Sequence, residues 1–106
     1  MLSFEDFKKI DIRVAEIVEA REHPNADKLY VLTIRSGGDT KQIVAGIRST
    51  YGIDELKGKK IVVIDNLEPA VIRGEESNGM LLAASSEDGP VLLVPEKEVS
   101  PGSQVK

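Results

Sequence analysis

The sequence predicts an all-β fold, a barrel or a sandwich, on three observations. Apolar, β-branched runs recur along the chain, and Gly, Pro, Asn, Asp and Ser separate them at short intervals. Helix signals are few and short, one segment at the N-terminus and a single turn near residue 55. A chain of 106 residues fits one domain covering 1–106. At that size folding removes roughly 60–70% of the unfolded chain's surface from water, so a single apolar core suffices.

Ser3-Phe4-Glu5-Asp6 resembles a capping box and predicts a helix over 4–9, with Phe4 and Phe7 on one side. Ile10 to Ala20 alternates apolar and polar residues and reads as a long strand with a bulge near Ile17-Val18. His23-Pro24-Asn25-Ala26-Asp27 is a turn, because Pro24 fixes φ and Asn25 can cap the next turn of chain. Leu29 to Arg35 and Lys41 to Gly46 form a hairpin across Ser36-Gly37-Gly38-Asp39. A single helical turn at 54–57, stopped by Gly58, precedes a nearly all-β-branched fourth strand, Lys60 to Asp65. Asn66 to Arg73, interrupted by Pro69, continues toward Gly74. Met80 to Ala84 and Val91 to Val94 are short final strands. A helical turn after the third strand suits a five-stranded Greek-key barrel of the oligonucleotide/oligosaccharide-binding (OB) type.

Composition excludes several functions. No cysteine is present, so disulfides, thiolate zinc sites and cysteine nucleophiles are out. His23 is the one histidine, and its place before Pro24 marks a turn residue with a satisfied ring rather than a metal ligand. Glu75-Glu76 and Glu87-Asp88 are adjacent pairs. Neighbouring side chains on a strand point to opposite faces, which makes poor acid/base partners. No Gly-rich phosphate cradle occurs. The expectation is a protein that is not an enzyme, with no cofactor and no metal. No apolar run reaches the ~20 residues of a bilayer span, and the start lacks a secretory pattern; the expected compartment is cytoplasmic, with no membrane partner.

The net charge of -4 argues against a nucleic-acid binder, but the distribution softens the objection. Residues 1–50 balance eight Lys/Arg against eight Asp/Glu, whereas 76–106 carry two against five. Four aromatic residues are too few for a base-stacking platform. A nucleic acid would therefore be read by shape and backbone. The candidate surface is Asn66, Arg73, Ser77, Asn78 and Met80, with Lys41, Arg48 and Arg35 adding charge. Asn78-Gly79 also reads as an ordinary hairpin turn, Met80 as core, and Lys59-Lys60 as charges guarding an apolar strand.

Asp11-Ile12-Arg13-Val14, His23-Pro24-Asn25-Ala26-Asp27-Lys28-Leu29, Val44-Ala45-Gly46-Ile47, Asn66-Leu67-Glu68-Pro69, Arg73-Gly74 and Ser77-Asn78-Gly79-Met80-Leu81-Leu82-Ala83-Ala84 stand in one order. With them the chain resembles the tRNA-binding domain family over residues 4–105. That family includes the C-terminal appendix of methionyl-tRNA synthetases, free-standing structure-specific tRNA-binding proteins, CsaA-type chaperones and the endothelial-monocyte-activating polypeptide II module. The resemblance implies an OB barrel working as a homodimer and binding tRNA near its elbow with little dependence on sequence. It implies a methionyl-tRNA synthetase catalytic part as partner, in cis or as a separate chain, whose tRNA affinity the module raises. It carries RNA contact onto Asn66, Arg73, Ser77 and Met80. The alternative it leaves open is a CsaA-type peptide-binding chaperone.

Overall fold

The computed structural model describes residues 1–106 and is nearly all β. Its spine is β1 (Ile12–Glu22), the long strand expected from the alternation. The first half of β1 pairs antiparallel with β4 (Lys60–Ile64), and its second half with β2 (Tyr30–Arg35). The register with β2 slips between Ile17 and Glu19, a bulge at the position the sequence suggested. A bulge increases local twist, so one strand curls far enough to serve both neighbours. β2 pairs with β3 (Thr40–Ala45) across the Ser36–Asp39 turn.

Side chains at alternate positions of this curled sheet meet inside it. Ala15, Ile17, Leu32, Ile34, Ile43, Ile61 and Val63 are fully buried in one core. The expected helical turn lies at Ile53–Glu55, where Glu55 Oε2 accepts from the Gly52 amide at 2.6 Å, and the buried Leu56 plugs the barrel end. The N-terminal helix α1 (Phe4–Lys8) is capped by Ser3 Oγ, which accepts from the Asp6 amide, and it buries none of its own residues.

The later third departs from expectation. Residues 66–74 are not one continuing strand. β5 (Ala70–Ile72) and β6 (Glu75–Ser77) form a hairpin across Arg73-Gly74. Asn78-Gly79 is not a hairpin turn, because β6 pairs with β5 whereas β7 (Met80–Leu81) pairs with β4. The expected strand 80–84 breaks at Leu82 into β7 and β8 (Ala83–Ser86), and β8 pairs with β9 (Gly89–Leu92), whose span begins before the expected 91–94. A short β10 (Gln104–Val105) returns to β1, an unanticipated pairing.

The path β3-β2-β1-β4-β7 is the strand order of an OB-like barrel, and segment 77–79 bridges its open ends. The Asn78 amide donates to Gln42 O at 2.9 Å, and Ser77 Oγ accepts from the Val44 amide at 3.0 Å.

Candidate nucleic-acid interface

The predicted surface residues divide into two groups at opposite ends of β1. Near its start, Asn66 Oδ1 accepts from the Asp11 amide at 2.9 Å and Asn66 Nδ2 donates to Lys9 O at 2.7 Å. Asn66 is exposed, yet both ends of its amide splice α1 to β1 and β4. Lys41 lies at the same end. Its ammonium is 2.7 Å from Asp65 Oδ1 and donates to Asp65 O at 2.9 Å. Met80 is exposed beside them, paired with Ile64. Arg35 pairs with Glu16 across the strands at 3.6 Å.

Ser77 corrects the expected outward display. It is only 4% exposed, and its hydroxyl donates to Gly79 O while accepting from Val44 N. It is a buried strut in the barrel closure. Asn78 is half-buried, its side-chain amide held by Glu76 at 3.0 Å. The cluster of Asn66, Ser77 and Arg73 on one surface is therefore not formed.

Arg73 stands at the other end of β1. It is exposed with φ 53°, and Gly74 follows at φ 94°. Two successive left-handed residues close the two-residue hairpin between β5 and β6, a conformation that costs an ordinary L-residue roughly 1–2 kcal/mol. The surroundings impose it. Arg73 Nη2 donates to Asn25 O at 2.9 Å. Below, His23 is 4% exposed, its Nδ1 accepts from the Asn25 amide at 3.0 Å, and its Nε2 lies 2.9 Å from Ile72 O. A neutral ring protonated at Nε2 satisfies both partners, so His23 ties the β1–β2 turn to the β5–β6 hairpin. The satisfied turn histidine expected from sequence is found, with this tethering role added.

Between the turn and the hairpin lies a cleft of about 440 Å³ lined by Asn25, Ala26, Asp27, Lys28, Leu29 and Arg73. Arg48 supports the turn that lines it, donating to Ala26 O at 3.4 Å, pairing with Glu22 at 3.1 Å and lying 5.3 Å from the centre of the Tyr30 ring.

Pairing decides which cations are available. Nine of the fourteen Lys and Arg side chains lie within 4 Å of a carboxylate, including Lys41, Arg48 and Arg35. The five without such a partner are Lys28, Lys59, Arg73, Lys97 and Lys106. Sequence reasoning missed Lys28, although it lies within the His23–Leu29 motif. The cleft thus brings the Lys28 ammonium and the Arg73 guanidinium, neither paired with a carboxylate, to one concavity that Asp27 also lines, and the donors Arg73 keeps beyond its bond to Asn25 O suit an anion with several oxygens.

Residues 12–104 match the family described as "Putative tRNA binding domain". The chain is 49% identical over 105 residues to a methionine–tRNA ligase of Pyrococcus furiosus, a match covering 99% of this chain and 14% of the length of that relative. In three dimensions it is similar to a MetRS related protein from Pyrococcus horikoshii, with TM-score 0.92 and 33% identity over 100% of this chain and 98% of the other. It is equally similar to a CsaA chaperone protein from Picrophilus torridus, with TM-score 0.93 and 36% identity over the whole of both chains.

Proposed function

The chain belongs to the tRNA-binding domain family, and from that premise we propose that it is a non-catalytic module that grips tRNA by its shape and its sugar-phosphate backbone. The observation that carries this reading is the cleft where Lys28 and Arg73, neither held by a carboxylate, face one concavity. Left-handed strain at an exposed arginine points to selection for the side chain over the turn. Phosphate neutralisation by Lys and Arg releases counterions and is blind to base identity, which fits a chain with four aromatic residues.

The relation to methionine–tRNA ligases supports a methionyl-tRNA synthetase catalytic part as partner, in cis or as a second chain, with the module raising its affinity for tRNA. The activity is expected in the cytoplasm. A homodimer is part of the proposal, supported by the exposed apolar groove of about 390 Å³ lined by Phe4, Phe7, Ile10 and Val105 and by the exposed Val91, Leu93 and Val94. Sedimentation showing a lone protomer at high micromolar concentration would count against it.

Titration with several purified tRNAs tests the binding claim: Arg73→Ala is expected to weaken all of them alike. Weakening of one isoacceptor alone would indicate base reading. The second reading, a CsaA-type peptide-binding chaperone, is supported by the similarity to the Picrophilus protein and by the exposed Val71 and Met80. Failure to retain any tRNA, together with suppression of client aggregation, would favour it.

A further inference from the structure

The cations without a carboxylate partner are sorted in space. Apart from Lys106 at the chain end, they fall into two clefts: Lys28 and Arg73 line the one above His23, and Lys59 and Lys97 line another of about 320 Å³ together with Gly58, Lys60, Pro95 and Glu96. The second cleft joins β1 at Ile17, whose carbonyl accepts from the Gly58 amide at 2.7 Å, whereas the first joins it at Glu22 through Arg48. Five residues of strand separate these attachments, roughly 17 Å of rise at most.

We propose that the cleft between Lys59 and Lys97 is a second phosphate site for the same RNA backbone, deepening the tRNA-binding reading on which it rests. Lys97 is exposed, and three features distinguish the cleft around it. Lys59 is half-buried with its ammonium 5.8 Å from the centre of the Tyr51 ring, a cation–π contact that favours a position on the rim. Lys60 engages Glu98 and donates to Val99 O at 2.7 Å, so the Glu98 charge is already matched. Glu96 is the one carboxylate of the cleft without a cation partner, and two free ammonium groups outnumber it. The local excess is positive in a chain whose net charge is -4.

Glu96 gives the proposal a gain-of-binding arm. Neutralising it removes a like charge from the approaching phosphate, so Glu96→Gln is expected to tighten binding. Lys59→Gln with Lys97→Gln is expected to weaken it through the loss of two phosphate contacts.

The experiment measures affinity of the chain for unfractionated tRNA between 50 and 200 mM salt. The double variant K59Q/K97Q is expected to lower the slope of log affinity against log salt by about 1.4–1.8, so the wild-type advantage shrinks about seven- to twelvefold across that range. E96Q is expected to bind more tightly than wild type at 50 mM salt. A control with the same change in charge, K9Q/K106Q, is expected to move the slope by less than about 0.5. An unchanged slope in K59Q/K97Q, an equal change in the control, or no gain in E96Q overturns the second site. If K59Q/K97Q matches wild type while K28Q/R73Q binds weakly, the first cleft stands and the second falls alone. A wild-type chain that retains no tRNA overturns both.

Discussion

Replacing Arg73 by Asn separates what the hairpin needs from what the ligand needs. Arg73 holds φ 53° at the first central position of the β5–β6 turn. Asn tolerates that region better than other residues with a Cβ, so the change should recover about 1 kcal/mol of the strain. Against this stands the hydrogen bond from Arg73 Nη2 to Asn25 O at 2.9 Å, worth about 0.5 kcal/mol at an exposed site. The net is a gain of about 0.5 kcal/mol, which for a chain of this size raises the melting temperature by about 2–4 °C. Binding should move the other way. The loss of one phosphate contact lowers the salt slope by about 0.7–0.9, and affinity falls for every tRNA. Thermal unfolding by circular dichroism and a tRNA titration on the same sample read both. A melting temperature lowered by more than about 2 °C would refute the strain argument, and unchanged affinity would remove Arg73 from the interface.

Three further substitutions test the structural roles of Ser77, Asn66 and Gly79. Ser77→Ala strands the Val44 amide and Gly79 carbonyl inside the barrel seam and should cost about 1–3 kcal/mol in urea unfolding. The folded fraction should bind tRNA as wild type does; lost binding at full stability would return Ser77 to the ligand surface. Asn66→Ala removes the two hydrogen bonds that splice α1 to the sheet, with about 1–2 kcal/mol lost and faster amide exchange over residues 4–9; unaltered exchange there would contradict the splice. Gly79→Ala places a Cβ 2.9 Å from Ile64 O at φ +146° and should cost about 2 kcal/mol or more. A variant as stable as wild type would mean that this crossing is not tightly packed.

The first two-thirds of the fold was legible because its signals are local. Alternation fixed β1, branched residues fixed β2 and β4, and the unpaired Val18 produced the bulge where the apolar spacing slips. The later third was not, because its turn chemistry is inverted. Arg73-Gly74 makes the hairpin although arginine disguises it, whereas Asn78-Gly79, the stronger turn signal, carries the chain between two pairing partners. The site was half legible for a different reason. Motif order led to Arg73, but sequence does not reveal which cations are already neutralised. The partners of Lys41 and Arg48 lie 24 and 26 residues away in sequence and depend on strand register. Nor does sequence reveal that the Ser77 hydroxyl points inward, since that depends on closure against β3.

Recognition through the backbone stands or falls on the salt dependence of wild-type binding to unfractionated tRNA. Three to five phosphates engaged per protomer predict a slope of log affinity against log salt between about -2 and -4.5, the same for every tRNA tried. A slope shallower than about -1, or one that varies with the tRNA, would contradict it.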